Sequence, residues 1–380
     1  MALSLSRNAT VILSYQDSTA TAWDGAGREP SEANTFEIPV LDGFSFSQAT
    51  GTQNVTLNEA GASPKRGQSI FNTSIEPVDW SFTTYIRPRI DDLTTDLHGM
   101  TEKILWNALV SGTKTDNVGT GGITSTAASC TVDFEESNKN QLLKLTGWFV
   151  FSDSSVNYRL KNMCVNSASM DFDVDGIAQI TWSGYAEAID SVAAGATPTT
   201  GDHATDGYAL APATADFILN RLSTVTLVSS ISGSSKNYIF PLTGGNVTID
   251  NGITYVTPES LGRINVPIGH QTGTRAISGN FTAYLDTATD STKDMYEHIL
   301  ADVNAPDPDT ITNVFAIELK IGGTSAPNVI FNMPKAHLEI PSLDTADVMG
   351  VTINWTALEG SFGGATPDEA TIAYTGLTTV

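Results

Sequence analysis

The chain contains the same succession of short segments twice. The five matching pairs are LSRNATVILS with LNRLSTVTLV, FEIPVLDG with YIFPLTGG, FTTYI with FTAYL, MTEKIL with MYEHIL, and AQITWSGYAE with GVTINWTALE. The offset between partners falls steadily, from 214 residues at Arg7 and Arg221 to 173 residues at Trp182 and Trp355. Collinear matches with a falling offset indicate a duplication followed by deletions in the second copy. The sequence therefore predicts two homologous domains.

The repeat sets the expected domain boundaries. The first copy spans residues 1–190 and the second copy spans 216–360. Between them, residues 191–215 are rich in Gly, Ala, Thr and Pro and read as a linker. Residues 361–380 are expected to form a C-terminal arm. A length of 380 residues is enough for two ordinary hydrophobic cores.

Each copy contains mostly strand patterns and a single helix pattern. The segment WSFTTYIR at 80–87 alternates in the manner of a half-buried strand. Residues 100–110 have helical apolar spacing, and their counterpart places Met295, Ile299 and Val303 on one face. The order of strands, helix and strands predicts an α+β, mainly β fold: two antiparallel β-sandwich or barrel domains, each with one covering helix.

The charge balance argues against a protein that grips nucleic acid. There are 19 Lys and Arg against 42 Asp and Glu, which gives a formal net charge of −23. Binding through phosphates needs basic side chains. The two cysteines, Cys130 and Cys164, exclude a disulfide framework and a four-cysteine zinc site, although one bridge remains open.

Signals for export, membrane insertion and catalysis are missing from the sequence. The start of the chain lacks the basic and apolar regions of a secretory signal, and no apolar run is long enough to span a bilayer. Phosphate-loop, dinucleotide-binding, nucleophile-elbow and zinc-protease motifs do not occur, and the five histidines are scattered. We therefore expect a protein that folds in the cytoplasm, is not an enzyme and needs no cofactor.

One acidic cluster requires a choice between two interpretations. The segment MDFDVDG has aspartates at alternate positions, Asp171, Asp173 and Asp175. This is the first half of an EF-hand calcium loop, but Trp182 stands where the bidentate acid is needed, so the cluster is a weak candidate for a metal site. The favoured interpretation is a strand with Phe172 and Val174 in the core and the aspartates on the solvent-exposed face. Three like charges on one face do not stabilise a fold.

A long segment at 51–74 is the other unusual feature, because it exceeds the length of a hairpin turn. It contains Lys65 and Arg66 in a chain that is poor in basic residues. Its counterpart at 251–267 is shorter and contains Arg263. Two interpretations remain open: a mobile surface loop, or an arm that reaches a neighbouring copy of the protein.

Copy one resembles a known family. The strings FEIPVLDGFSFSQATGTQNVTLNEAG, RGQ and FNTSIEPVDWSFTTYIRP look like the major tail tube proteins of long-tailed, siphovirus-like bacteriophages. Copy two resembles that family through its alignment with copy one. The resemblance implies a small antiparallel sandwich or barrel with one helix, whose sheets join edge to edge in rings that stack into a hollow tube. Because most members have one domain per chain and six chains per ring, a two-domain chain implies a trimer with pseudo-sixfold symmetry.

The resemblance also implies location and partners. The protein would be a structural component of the virion, in the phage tail, assembled in the host cytoplasm. Its partners would be copies of itself, the tape measure, tail terminator and distal tail proteins, and double-stranded DNA in transit without specific binding. The candidates for ring stacking in the two long segments are Asn58, Glu59, Lys65, Arg66 and Arg263.

An acidic bore would suit such a conduit. Basic side chains release counterions from DNA and hold it, whereas carboxylates repel it within a Debye length of about 8 Å. The net charge of −23 agrees with that requirement. The candidates for lining the lumen are Asp171, Asp173, Asp175, Glu339 and Asp344.

Two alternatives belong to other functional classes. A virion-borne or cell-surface β-sandwich adhesin or receptor-binding protein could use the aspartate cluster to bind calcium. A carbohydrate-active enzyme could use paired carboxylates, but chance pairs are common in so acidic a chain.

Overall fold

The computed structural model describes most of the chain. The described residues are 9–15, 35–41, 44–55, 68–92, 97–110, 122–134, 142–151, 156–192, 217–229, 236–261, 264–304, 314–345, 348–359 and 368–377. Of the predicted linker at 191–215, only the first two positions fall within these ranges. We call residues 9–192 the first half and residues 217–359 the second half.

The secondary structure is mainly antiparallel β, and the α+β fold class predicted from the sequence is confirmed. The strands of the first half are β1 (Ala9–Tyr15), β2 (Thr35–Ile38), β3 (Ser45–Val55), β4 (Ser69–Tyr85), β5 (Pro88–Asp92), β6 (Leu97–Met100), β7 (Gly122–Ser125), β8 (Cys130–Asp133), β9 (Leu145–Phe151), β10 (Val156–Asp173), β11 (Gln179–Ala186) and β12 (Ala188–Val192). The later strands are β13 (Thr224–Ser229), β14 (Lys236–Asp250), β15 (Thr254–Val256), β16 (Gly269–Gln271), β17 (Ala276–Tyr284), β18 (Val314–Ile321), β19 (Asn328–Leu338), β20 (Ser342–Asp344), β21 (Gly350–Ala357) and β22 (Thr371–Thr375). The described residues contain two α-helices, α1 (Lys103–Val110) and α2 (Thr292–Val303).

The strands of the second half close into a barrel. The pairing order is β13–β14–β17–β21–β19–β18, and β18 returns to β13. Residues 236–241 of β14 pair with β13, and residues 242–250 pair with β17. A single long strand therefore connects two sides of the barrel.

The first half has the same pairing order. Its strands run β2–β1–β9–β10–β11–β4–β3. Here β2 and β3 take the places of the two ends of β14, with residues 39–44 between them. The Leu41 N–H donates to the Thr83 carbonyl at 2.8 Å, which fixes this connection beside β4.

Two strand contacts join the halves. Residues 167–173 of β10 pair antiparallel with residues 244–250 of β14, so the sheets continue into each other. Strand β22 lies between β19 of the second half and β8 of the first half. The part of the predicted C-terminal arm at 371–375 is thus a strand within the fold.

Both helices cover the core, but to different extents. All of α1 except Lys103 is buried. In α2, Met295 and Ile299 are buried as predicted, whereas Val303 at its end is exposed, contrary to the sequence prediction. Neither helix in the described ranges is long and apolar enough to cross a membrane. Cys130 and Cys164 are both buried and free, so the bridge left open by the sequence does not form.

Candidate assembly and lumen surface

One continuous antiparallel sheet runs through both halves. Its strand order is β3–β4–β11–β10–β14–β17–β21–β20. Because side chains alternate between the faces of a strand, the pairing register decides which residues share a face. The core face carries large apolar side chains such as Trp182 and Phe281.

The opposite side of this sheet is mainly polar, with Ala276 and Tyr284 among the exceptions, and we call the following set of its positions the polar face. Its positions are Ser45, Ser47, Asp79, Ser81, Thr83, Ser167, Ser169, Asp171, Asp173, Thr181, Ser183, Asn246, Thr248, Asp250, Ser278, Asn280, Thr282, Glu339, Ser342, Asp344, Thr352, Asn354 and Thr356. Every one of these side chains is a hydroxyl, an amide or a carboxylate. None of these positions carries a lysine or an arginine.

Short hydroxyl contacts connect neighbouring strands along the polar face. The hydroxyl oxygens of Thr83 and Thr181 lie 3.0 Å apart, and those of Ser45 and Ser81 also lie 3.0 Å apart. Across the contact between the halves, Ser169 and Thr248 approach to 3.3 Å. These cross-strand pairs partly satisfy the polar groups within the sheet, so the face is both hydrophilic and ordered.

Four of the five predicted lumen residues lie on the polar face. Asp171 and Asp173 end β10, and Asp344 ends β20. Glu339 follows β19 and accepts a hydrogen bond from the Asn354 amide at 2.9 Å. Asp175 lies beyond the end of β10. Asp171 and Asp173 were identified from the period-two alternation of MDFDVDG, whereas Glu339 and Asp344 were proposed from the equivalent segment of the second copy.

The segment that follows β10 corrects one part of the strand prediction. Val174 was expected in the core but is exposed, because β10 ends at Asp173 and the alternation stops there. Phe172 is buried as expected. Asp175 forms an exposed ion pair with Arg221, with 2.9 Å between Oδ1 and Nη2. Within the described residues, no group of three or more His, Cys, Asp or Glu side chains could hold a metal ion, so the weak candidate Asp171, Asp173 and Asp175 does not form such a site.

The long segment of the second half folds back onto the first half. The Asn251 amide donates to the Leu109 carbonyl at 2.8 Å, and the Tyr255 hydroxyl donates to the Asn162 carbonyl at 2.9 Å. The Leu142 N–H donates to His270 Nε2 at 3.2 Å. We call residues 251–271 the second arm. It is anchored within its own chain.

Burial changes the ionisation of groups within and beside the second arm. Desolvation lowers the pKa of His270 to about 4, which keeps its Nε2 free to accept the Leu142 hydrogen bond. Desolvation also raises the pKa of the neighbouring Cys164 thiol to about 12 and raises that of Tyr255. These groups remain neutral over the whole physiological range. They therefore act here as uncharged packing and hydrogen-bonding groups.

The corresponding segment of the first half contacts the second arm near its base, where the Asn265 N–H donates to the Thr73 carbonyl at 3.2 Å. The predicted loop at 51–74 is largely a hairpin, because β3 continues to Val55 and β4 begins at Ser69. Near its end, Ile70 and Phe71 are exposed. We call residues 49–74 the first arm. The stacking candidates Asn58, Glu59, Lys65, Arg66 and Arg263 all lie outside the described residues.

The continuous sheet ends in two open edges. Strand β3 pairs with β4 on one side, and β20 pairs with β21 on one side. Neither has a strand on its other side within the described ranges. Open edges expose backbone N–H and C=O groups that can pair with another chain.

The sequence reasoning missed most of this surface. It identified Asp171, Asp173, Glu339 and Asp344, but not Asp79, Asp250 or the Ser, Thr and Asn positions between them. Their signal was present in strands such as β17 and β21, which alternate polar with apolar residues. The pairing of β10 with β14 had no comparable signal, because backbone hydrogen bonds between distant segments leave little trace in composition.

Comparisons with known proteins agree with this architecture. The family model described as phage tail tube protein matches residues 40–357. The tail tube protein pb6 of Escherichia phage T5 is 31% identical over 332 residues, which cover 86% of this chain and 69% of that protein. The chain therefore belongs to the phage tail tube proteins, which are structural, non-enzymatic components of the virion.

Proposed function

We propose that this protein polymerises through its sheet edges into rings, and that the rings stack into a hollow tube for genome delivery. The polar face would line the lumen, through which double-stranded DNA passes without being bound. The observation that carries the proposal is the polar face itself: a sheet of 23 named positions with no basic side chain and with an open edge at each end.

Electrostatics gives this surface its function. A lysine or arginine in the wall would displace counterions from the phosphates and hold the DNA. Carboxylates such as Asp171, Asp173 and Asp344 instead repel the duplex within about 8 Å at physiological salt. The hydroxyls and amides between them interact well with water, so the wall stays hydrated while the DNA moves.

The two halves favour a ring of three chains. They repeat one strand order, which supports the duplication inferred from the sequence matches. If each half is one unit of a six-unit ring, three chains close it with pseudo-sixfold symmetry. Stacking would involve the first arm, where the apolar side chains of Ile70 and Phe71 are exposed. The tape measure, tail terminator and distal tail proteins would be further partners, inside the tube and at its ends.

Electron microscopy of the purified protein at rising concentration tests assembly. We expect stacked rings, each with three chains and six similar density units around a central hole. Six chains per ring, with the second halves outside the ring, would contradict the trimer but not the proposed tube. A protein that stays monomeric at every concentration, or a lumen lined by lysine and arginine, would contradict the function.

The lumen assignment has a separate electrostatic readout. In tubes of the double variant Asp171→Lys and Asp173→Lys, we expect co-sedimentation of double-stranded DNA at low salt, at least about tenfold above wild type and lost as salt rises. The matched control is Glu297→Lys on α2, an exposed position away from the polar face. Equal retention by the control would show that the two aspartates do not face the DNA.

A further inference from the structure

We propose that β20 of one chain pairs antiparallel with β3 of a second copy in one defined register. In that register Ser342 lies opposite Ser47, Leu343 opposite Phe46, and Asp344 opposite Ser45. The inference rests on the proposed ring and specifies its interface. It follows from the strand contact between the two halves, which we call the internal junction.

The internal junction shows how one half joins the next. Ser169 lies opposite Thr248 and Met170 lies opposite Val247, with Asp171 and Asn246 as the following pair. Met170 and Val247 are 3% and 2% exposed, so the junction buries an apolar pair beneath two hydrogen-bonding polar positions. Backbone pairing and apolar burial therefore act together here.

The same site exists at the far edge of the second half. In the first half, Ser169 pairs with Thr181 on β11, and Phe82 on β4 pairs with Trp182 one position further along β11. In the second half, Ser342 pairs with Thr352 on β21, and Phe281 on β17 pairs with Ile353 one position further along β21. Ser342 thus occupies the place of Ser169.

By the same register, Leu343 occupies the place of Met170, and Asp344 that of Asp171. This correspondence rests on the match of FTTYI with FTAYL, which equates Phe82 with Phe281, and on the pairing positions counted from there.

The complementary site exists at the near edge of the first half. On β14, Asn246 pairs with Asn280 and Val247 with Gly279. On β3, Ser45 pairs with Ser81 and Phe46 with Trp80 at the corresponding positions of β4. Ser45, Phe46 and Ser47 therefore occupy the places of Asn246, Val247 and Thr248. A second copy can offer β3 to β20 as β14 is offered to β10.

The side chains at the two open edges are complementary. Leu343 points to the core side of its strand, as Met170 does, yet it is 40% exposed. Phe46 is only partly buried. Placed opposite each other, they would form the apolar pair that Met170 and Val247 form inside the chain. The occupant of both edges is thus a second copy of this chain.

Disulfide trapping in assembled tubes tests the register. The variant pair Ser47→Cys and Ser342→Cys should cross-link chains on mild oxidation with copper phenanthroline, giving a covalent species of three chains on a non-reducing gel. Ser169→Cys with Thr248→Cys is the internal control, because the hydroxyl oxygens are 3.3 Å apart within one chain. It should oxidise without adding mass. The native Cys130 and Cys164 are fully buried and do not interfere.

A register control completes the design. Ser45→Cys with Ser342→Cys keeps the same face but is displaced by two residues, so we expect at least about fivefold less cross-linking, since diagonal neighbours lie about 7–8 Å apart. Stronger cross-linking by this pair would overturn the register. Tubes without either cross-link, while the internal control oxidises, would overturn the β20–β3 contact and leave the proposed function standing. Absence of tubes as well would overturn both.

Discussion

The two halves build the same barrel wall with their tryptophan and glycine exchanged between strands. In the first half, Trp80 on β4 lies opposite Gly184 on β11. In the second half, the glycine is on the first of the corresponding strands, Gly279 on β17, and the tryptophan is Trp355 on β21. In each half, a tryptophan on one strand fills the space that the glycine opposite leaves empty. Either of the two strands can supply the tryptophan.

The aromatic neighbours confirm that the exchange preserves packing. Trp80 stacks on Phe82 with ring centroids 5.2 Å apart, and Trp355 stacks on Phe281 at 5.5 Å. Both pairs are close to parallel, at 27° and 23°. The indole thus fills the same space from opposite strands.

The largest expected effect comes from adding a side chain at either glycine. A Cβ on Gly184 would overlap the Cys164 carbonyl oxygen and lie 2.9 Å from the Trp80 ring. A Cβ on Gly279 would overlap the Asn246 carbonyl oxygen and lie 2.8 Å from the Trp355 ring. Because backbone atoms cannot move aside cheaply, we expect Gly184→Ala and Gly279→Ala each to cost about 3–5 kcal/mol in urea unfolding of the monomer.

The matched control for both is Gly269→Ala, where an added Cβ would meet no atom within 4 Å. We expect a change below about 0.5 kcal/mol there. If one of the two tight glycines tolerates alanine as well as Gly269 does, the halves are not packed alike and the exchange is not a volume constraint.

Sequence reasoning aligned these strands with an error of two residues, and the reason is physical. The matches set Trp355 against Trp182, but the register gives the place of Trp182 to Ile353 and the place of Gly184 to Trp355. A shift of two residues along a strand keeps every side chain on its own face. Apolar alternation therefore cannot detect it, whereas the contact between the tryptophan and a glycine can.

Local patterns predicted local structure well. The helix predicted over 100–110 is found at Lys103–Val110, and the alternation of WSFTTYIR placed the core face of β4 correctly. The alternation of MDFDVDG likewise placed Asp171 and Asp173 on the side opposite to the core. The internal junction and the position of β22 were not predictable, because both depend on pairing between segments far apart in the chain.

The next comparison concerns two glutamates at matching positions of the helix segments MTEKIL and MYEHIL. Glu102 is 1% exposed, and its carboxyl group is buried close to Tyr374, Arg89 and Arg87. Glu297 is exposed and lies 3.5 Å from Lys293. The first half differs because β22 packs on α1, where the Trp106 indole donates to the Tyr374 hydroxyl at 2.8 Å.

The burial of Glu102 lowers the free energy of unfolding by an amount that depends on pH. Desolvation raises its pKa from 4.5 to about 7, despite the lowering influence of Tyr374, Arg89 and Arg87. A carboxyl with a raised pKa binds its proton more tightly in the folded state. Its cost is therefore absent below pH 4.5, grows as the pH rises to about 7 and stays constant above that. The full cost is about 3 kcal/mol.

Glu102→Gln should remove this cost. Relative to wild type, we expect the variant to be stabilised by as much as about 3 kcal/mol at pH 8 and by almost nothing near pH 4.5. The measurement is the free energy of unfolding of the variant minus that of the wild type, from pH 5 to 8. Other acidic residues contribute equally to both proteins and cancel in this difference. A flat difference for Glu102→Gln would mean that the carboxyl is hydrated in solution.

The smallest expected effect separates the two halves at one indole. The Trp182 Nε1–H donates to the Thr84 hydroxyl at 2.9 Å, and both side chains are buried. The second half has no counterpart of this bond, because Ala283 matches Thr84 and Ile353 takes the place of Trp182 on β21. The first half therefore depends at this position on a buried hydrogen bond, where the second half has only apolar side chains.

Thr84→Val keeps the volume and removes the hydroxyl, which makes the first half resemble the second in this respect. We expect a loss of about 1–2 kcal/mol in urea unfolding, because the Trp182 N–H would be left buried and unpaired. The matched control is Thr83→Val, whose hydroxyl contacts that of Thr181 on the exposed polar face and can be replaced there by water. Equal losses in the two variants would mean that the Trp182 bond adds nothing beyond general polarity.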